Sequence, residues 1–159
     1  MSAFTIRSAK SGDEDIILAL LYELAEYEKL QAKFKVTREI VARDYLGGHP
    51  AIHTALAYAG EKPAGVATWY FTYSTFAAAR GAYLEDLFVR PEFRGKGIGK
   101  ALLAHVARQA AAAGAAHVEW VVLDWNEPSI RFYESLGAER IKGWYVYRLG
   151  GGALIKLGQ

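Results

Sequence analysis

Hydrophobic residues recur at helical spacing in some parts of the chain and alternate with polar ones in others. The first helical stretch carries Ile16, Ile17, Leu20, Leu21, Leu24 and Tyr27. Residues three and four apart lie on one face of a helix, so this stretch predicts an amphipathic helix. Ser11, with Glu14 three residues on, has capping-box spacing and is predicted to be its N-cap.

Three further segments predict helices that end at a glycine. Their predicted limits are Thr37–Leu46, with Thr37 as cap, then Ile98 to about Ala113, and Asn126–Leu136. Gly47, Gly114 and Gly137 follow them. Glycine readily adopts the left-handed conformation that ends many helices, which supports these limits.

Segments rich in β-branched and aromatic residues predict strands. They are Phe4–Arg7, Ile52–Ala59, Gly65–Tyr73, Tyr83–Val89, His117–Leu123 and Trp144–Arg148, with a turn at Gly60–Pro63. The predicted order is β-α-α-β-β-β-α-β-α-β. We therefore expect one α/β (α+β) domain over residues 1–159, with a mixed, mostly antiparallel sheet and helices on both faces.

Composition narrows the possible functions. The 159 residues are 52% hydrophobic and 23% charged, which is typical of a folded domain rather than a disordered chain. A net charge of +2 without a dense Lys/Arg block argues against nucleic-acid binding. There is no cysteine, so disulfides and thiolate metal sites are excluded, and a cytoplasmic location is the default expectation. No segment is typical of a targeting signal or a membrane helix.

A glycine-rich loop lies between the predicted strand Tyr83–Val89 and the next helix. It reads Arg94-Gly95-Lys96-Gly97-Ile98-Gly99-Lys100. Backbone N–H groups at a helix N-terminus bind phosphate, and Arg94 and Lys96 add positive charge. The spacing fits neither a Walker loop, because Ala101 follows Lys100, nor a Rossmann loop, because Lys100 replaces the third glycine. Taken alone, the loop is compatible with a phosphate site or with a plain turn.

Two motifs together resemble the GNAT superfamily of N-acetyltransferases. Arg94-x-x-Gly97-x-Gly99 resembles its acyl-CoA pyrophosphate loop, and Leu123–Ala138 resembles its second cofactor motif. The segments Leu24–Glu28, Tyr70–Tyr73, Tyr83–Asp86 and Trp125–Ser129 resemble the diamine acetyltransferases, which include the spermidine/spermine and thialysine enzymes.

The resemblance implies a sheet of six to seven strands, a homodimer, acetyl-CoA as cosubstrate without a metal, and a small primary amine as acceptor. The polyamine branch carries an acidic residue where this chain has Ser74, so a thialysine-like amine or short diamine is expected. The alternatives are a polyamine acetyltransferase, a protein-lysine acetyltransferase and a non-catalytic acyl-CoA sensor. No nucleic-acid or membrane partner is expected.

The resemblance also implies site residues. Glu85 would take the proton of the amine, directly or through water, and Tyr133 would protonate the leaving thiolate. Cofactor contacts are expected from Leu87, Phe88, Val89, Arg94, Gly95, Lys96, Gly97, Ile98, Gly99, Lys100, Asn126, Glu127, Pro128, Ser129 and Tyr133. Acceptor contacts are expected from Tyr27, Glu28, Glu85, Asp86, Glu119, Trp120 and Val121.

Each of these residues also has an ordinary structural interpretation. Asn126 is a plausible helix N-cap, Tyr133 a core aromatic, and Glu85 a solvated acid at a strand edge. Strict alternation along the strand predicts that Glu85 shares a face with Leu87 and Val89, opposite Asp86.

Overall fold

The computed structural model describes residues 4–159 of the chain. These residues form two compact units, the first ending at Val121 and the second spanning Val122–Gln159. That all 159 residues act as one functional domain stays a prediction from the sequence.

The first unit is built on a five-stranded sheet in the order β1-β2-β3-β4-β5. Its strands are β1 Thr5–Ser8, β2 His53–Ala59, β3 Lys62–Ser74, β4 Ala79–Val89 and β5 Ala115–Glu119. Neighbours from β1 to β4 are antiparallel, and β5 runs parallel to β4. The expected mixed, mostly antiparallel sheet is confirmed. β3 and β4 extend beyond their predicted limits because they form one long hairpin, paired as far as Ser74 and Ala79.

The first four helices follow the predicted order. In chain order, the helices are α1 Glu14–Tyr27, α2 Arg38–Ile40, which continues as a π-helical turn Val41–Tyr45, α3 Ile98–Ala112, α4 Glu127–Ser135 and α5 Gly151–Leu157. Thr37 caps α2 as predicted, its Oγ1 accepting a hydrogen bond from the Ile40 N–H at 3.3 Å. Asn126 likewise caps α4, accepting from the Ser129 N–H at 3.4 Å.

The predicted cap of α1 is wrong. The N-cap is Asp13 rather than Ser11. The Asp13 carboxylate accepts hydrogen bonds from the Lys10 N–H at 2.8 Å and from the Arg7 guanidinium at 2.7 and 2.8 Å. These bonds close a turn at Ser11 and Gly12, so the helix begins two residues later than a Ser11 cap would require.

Helices cover both faces of the sheet, as expected. On one face, Leu56, Val66 and Phe88 pack against the apolar side of α1. On the other face, Ala55, Ala57 and Ala67 pack against α3, which contributes Ile98, Leu102 and Val106. Small residues on the α3 side allow that helix to lie close to the strands.

Three expectations about the later strands are wrong. The described part of the chain has five strands rather than six to seven. β5 starts and ends earlier than the predicted His117–Leu123. The segment Trp144–Arg148 forms no strand, and Trp144, Tyr145, Val146 and Tyr147 are 79–90% exposed. Its composition favours a strand, but a strand is stable only when a neighbour supplies hydrogen bonds and side-chain contacts.

The second unit contains α4, the segment 138–150 without regular secondary structure, and α5, which the sequence did not predict. Among residues 4–159, no helix combines the length and hydropathy needed to cross a membrane.

Candidate active site

β4 and β5 pair over only part of their length. Their register runs from Arg80 opposite Ala115 to Tyr83 opposite Glu119, whereas β4 remains paired with β3 as far as Val89. Within the described residues, the β4 edge from residue 84 to residue 89 therefore has no neighbouring strand on the β5 side. Unpaired backbone N–H and C=O groups on a strand edge can bind an extended ligand. The predicted cofactor residues Leu87, Phe88 and Val89 lie on this edge.

The glycine loop connects this edge to α3. After a 3₁₀ turn at Pro91–Phe93, Gly95 and Gly97 adopt φ of 73° and 83°, and Gly97 is the N-cap of α3. Glycine adopts these left-handed values without the steric cost that other residues meet. A Cβ at either glycine would meet nothing within 4 Å, so backbone conformation selects glycine here rather than lack of space.

The start of α3 can bind an anion. Gly99 and Lys100 lie in its first turn, where N–H groups have no partner within the helix. The Ile98 side chain is buried in the core, so only its backbone can belong to the site. These residues fit the pyrophosphate role expected for them.

Two of the three cations of the loop, Arg94 and Lys96, donate hydrogen bonds to nearby backbone carbonyls. Arg94 Nε donates to the Val89 carbonyl at 2.8 Å, and its guanidinium lies 4.9 Å from the Tyr27 ring centroid. Lys96 Nζ donates to the Glu92 carbonyl at 3.1 Å. The Arg94–Tyr27 contact joins the end of α1 to the loop, which brings a predicted acceptor residue beside a predicted cofactor residue.

A β-bulge lies at Glu85. Asp86 stands opposite Thr68 while Leu84 stands opposite Trp69, so β4 has one residue more than β3 at this point. Leu84 and Leu87 both pack against the core on the α3 side. Glu85 and Asp86 between them therefore both turn away from α3. The expectation that Glu85 shares the face of Leu87 and Val89 is wrong, because the bulge interrupts the alternation.

Carboxylates and tyrosines interact electrostatically around this bulge. We call Glu28, Glu85, Asp86, Tyr45 and Tyr70 the acidic cluster. The pKa of Asp86 is raised to about 6, mainly by burial. The hydrogen bond from Thr68 lowers this pKa, and the charges of Glu85 and Glu28 raise it. Burial also raises the pKa of Glu28.

The two tyrosines connect other elements to the cluster. Burial raises the pKa of Tyr45 to about 12, with contributions from the charges of Asp86 and Glu85. Burial, Glu85 and Glu119 raise the pKa of Tyr70, whose ring centroid lies 5.3 Å from that of Tyr83. Glu119 at the end of β5 thus acts on the same region. Carboxylates with aromatic faces form a site suited to an ammonium group.

Two other predicted acceptor residues, Trp120 and Val121, follow the end of β5. Trp120 packs against the core on the α3 side, and Val121 is 68% exposed. The sequence analysis did not predict that Tyr45, Thr68 and Tyr70 interact with Glu85 or Asp86. A threonine inside an apolar strand, and the Tyr-Phe-Thr-Tyr segment, were the signals that could have marked two of them.

The remaining predicted residues lie in the second unit. Asn126 is buried and caps α4, Pro128 lies in the first turn, and Glu127 pairs with Arg131 at 3.4 Å. Tyr133 lies on α4 with its ring centroid 5.3 Å from that of Phe132. The Asn126 cap satisfies a backbone N–H of the first turn of α4. That these residues contact the cofactor stays a prediction.

Comparisons with known proteins agree on one family. The model of the acetyltransferase (GNAT) family matches residues 18–138. The chain is 38% identical over 168 residues to thialysine N-epsilon-acetyltransferase of Sus scrofa, covering 99% of this chain and 98% of that protein. It is 32% identical to human spermidine/spermine N(1)-acetyltransferase-like protein 1, over 93% of this chain and 23% of that protein.

Among solved structures, the fold is similar to that of an integron cassette protein from the mobile metagenome of V. cholerae. The TM-score is 0.81 with 26% sequence identity, covering 100% of this chain and 99% of that chain.

Proposed function

The chain belongs to the acetyltransferase (GNAT) family, and from this premise we propose the reaction that it catalyses. It is an acetyl-CoA-dependent amine N-acetyltransferase, as its relatives over nearly the full chain support. We propose further that the acceptor is the primary amine of a small thialysine-like or lysine-like molecule or a short diamine.

The acidic cluster beside the unpaired β4 edge is the observation that carries this proposal. An alkylammonium group has a pKa near 10.4, so forming the neutral nucleophile at pH 7 costs about 4–5 kcal/mol. Glu85 and Asp86, turned to one face by the bulge, supply negative charge for the ammonium group. Glu85 is exposed and Asp86 is partly buried, so one carboxylate reaches solvent while the other contacts the protein interior.

We assign the cosubstrate to the edge and the loop. The backbone of Leu87–Val89 would hold the pantetheine arm, and the Gly95–Lys100 backbone with Arg94 and Lys96 would hold the pyrophosphate. When bound, acetyl-CoA supplies a thioester as acyl donor. Asn126, Glu127, Pro128 and Ser129 are proposed as further cofactor contacts.

The proposed transfer is direct. Glu85 accepts a proton from the ammonium group, directly or through water, and the neutral nitrogen attacks the acetyl carbon. The N–C bond would form as the C–S bond breaks, and the Tyr133 hydroxyl would donate its proton to the leaving sulfur. The nitrogen would lose its second proton to solvent, and solvent would return a proton to the Tyr133 oxygen. Backbone N–H groups of the β4 edge would stabilise the oxyanion.

The β3–β4 hairpin supports a short acceptor. Ser74 lies six residues along β3 from Thr68, about 20 Å away at the rise of a strand. Its Oγ accepts a hydrogen bond from the Ala77 N–H at 3.3 Å and carries no charge. A long polycation would therefore lack a counter-charge at Ser74, and each desolvated ammonium without a partner weakens binding.

Competition between thialysine and spermidine for acetyl-CoA tests the proposal. We expect a higher kcat/KM for thialysine, and we expect Ser74→Asp to reduce the difference by about 1–2 kcal/mol, the scale of a partly exposed charge pair. Ser74→Asn is the matched uncharged control. A preference for spermidine by the parent protein would contradict the proposed acceptor. Binding of acetyl-CoA without thiol release across an amine panel would support a non-catalytic sensor instead.

Two further proposals concern the whole protein. We propose a homodimer, because the exposed apolar side chains of Trp144–Tyr147 are suited to contact a second copy of the chain. A cytoplasmic location stays a prediction from the sequence.

A further inference from the structure

Thr68 is a buried polar residue at the centre of β3. Its side chain is completely buried, and it stands opposite Asp86 in the β3–β4 register. Its hydroxyl donates to Asp86 Oδ2 at 2.5 Å. Over residues 4–159, no hydrogen bond to the other carboxylate oxygen, Asp86 Oδ1, accompanies this one.

A second threonine stands beside it without making the same contact. Thr54 on β2 is opposite Thr68 and is 6% exposed, so Thr54, Thr68 and Asp86 form a row across three strands. Thr54 Oγ1 is buried without a hydrogen-bond partner among the described residues. The two hydroxyls therefore share their surroundings but differ in whether they contact the carboxylate.

The Thr68 hydrogen bond lowers the pKa of Asp86, whereas burial and the neighbouring carboxylates raise it. Burial and the charges of Glu85 on β4 and Glu28 after α1 favour the protonated acid, whereas the Thr68 bond favours the carboxylate. Tyr45, from the π-helical turn, also interacts with Asp86 and is itself influenced by Asp44. The torsion that rotates a carboxylate has broad minima, so a short hydrogen bond to one oxygen restricts its orientation.

We propose that Thr68 is a positioning residue for acetyl transfer, because by holding Asp86 Oδ2 it leaves Asp86 Oδ1 to receive the ammonium group of the acceptor. This proposal rests on the proposed function, since it requires an amine bound at the acidic cluster. Asp86 binds the ammonium group, and Thr68 acts through Asp86 without contacting the substrate.

The pH dependence of kcat/KM for thialysine tests the proposal. Thr68→Val removes the hydroxyl and keeps the shape, Thr68→Ser keeps the hydroxyl, and Thr54→Val is the matched control. We expect the acid limb of the Thr68→Val profile to lie about one pH unit higher than that of the parent, which is the scale of a lost hydrogen bond to a carboxylate. At pH values below the limb, kcat/KM of the variant should be about tenfold lower than that of the parent. Thr68→Ser should restore the parent profile, and Thr54→Val should overlay it.

An acid limb of Thr68→Val that coincides with that of the parent would overturn the proposal. An equal shift in Thr54→Val would also overturn it, because the effect would then follow from any change in this buried row. Neither result depends on a small loss of stability, which lowers activity without moving a pKa.

A measurement that needs no enzymatic turnover tests the role of Thr68 independently of the proposed function. The carboxyl ¹³C resonance of Asp86, assigned with Asp86→Asn, is titrated in the free parent protein and in Thr68→Val. We expect Asp86 to titrate at higher pH in the variant, and an unchanged titration would overturn the role of Thr68. Failure of the parent protein to acetylate any amine would instead overturn the proposed function.

Discussion

Asp86 is the residue whose chemistry the fold changes most. It lies on β4 beside a bulge, with Thr68 opposite it and Glu28 and Glu85 nearby. Its raised pKa means that the folded protein binds a proton at this carboxyl more tightly than the unfolded chain does. At neutral pH the Asp86 carboxylate is therefore charged although its charge lowers the free energy of unfolding. Such destabilising charges are common at functional sites.

Replacing this carboxyl with an amide should stabilise the protein at neutral pH. An unfolded Asp titrates near 3.9 and the folded one at about 6, so the native state loses stability from Asp86 as the pH rises between these values. We expect Asp86→Asn to raise the free energy of unfolding at pH 7.5 by about 1–2 kcal/mol and to leave it nearly unchanged at pH 4.

Urea unfolding at both pH values measures the difference. Asp15→Asn is the control, because the Asp15 side chain is 77% exposed and pairs only at the surface with Arg38. Equal stability of Asp86→Asn and the parent at pH 7.5 would show that the carboxyl is not destabilised by its surroundings.

The β3–β4 hairpin is the element that arranges the site. It supplies Thr68, Tyr70, Glu85 and Asp86, and its far strand provides the unpaired edge. Two glycines lie on this hairpin. A Cβ at Gly65 would lie 2.6 Å from the backbone carbonyl oxygen of Phe88, whereas one at Gly81 would lie 2.6 Å from the side-chain ends of His117 and Thr72.

This difference predicts unequal effects of the same substitution. The carbonyl oxygen of Phe88 belongs to the sheet and can move only with the strand, so Gly65→Ala should cost about 2 kcal/mol or more of unfolding free energy. Gly81→Ala should cost less than half as much, because side chains can rotate away. Urea unfolding of the two variants provides the comparison, each serving as the control for the other. Equal losses of unfolding free energy would contradict this prediction, because they would show that the backbone at Phe88 moves as easily as the side chains near Gly81.

The α2 region shows how a local irregularity places a side chain. The sequence predicts one helix from Thr37 to Leu46, and the cap is where it was expected. The turn Val41–Tyr45 is π-helical, however, and Val41 and Tyr45 pack against the core on the α1 side. Such turns are frequent at functional sites, and this one brings Tyr45 to Asp86 and Glu85.

At the scale of the whole molecule, we propose that the exposed segment Trp144–Tyr147 contacts a second copy of the chain. Large apolar side chains at 79–90% exposure are unfavourable in water unless another surface covers them. We expect the protein to have twice its monomer mass of 17.5 kDa in light scattering at micromolar concentration.

Replacing both Trp144 and Val146 with serine should shift the mass toward the monomer. The control is Phe76→Ser, since Phe76 is fully exposed at the tip of the β3–β4 hairpin and lies outside this segment. A monomeric parent protein, or a dimer unaffected by the double substitution, would contradict the role of this segment.

Local sequence determined much of the fold and the nature of the chemistry. Helical periodicity located α1, α3 and α4, and short-range hydrogen bonding made Thr37 and Asn126 caps, as their types predict. The glycine loop was recognisable because its conformation depends on residues adjacent in the chain. Such features need no distant partner, so they can be derived from neighbouring residues alone.

The tertiary structure decided the features that depend on distant partners. The bulge at Glu85 exists only through the register of β4 against β3, and it reversed the face that alternation predicts for Glu85. The Thr68–Asp86 bond and the pKa of Asp86 need groups from several elements at once. Trp144–Arg148 has the composition of a strand but lacks a neighbour among the described residues. Strand pairing and desolvation are properties of contacts between segments far apart in sequence, so only the folded chain determines them.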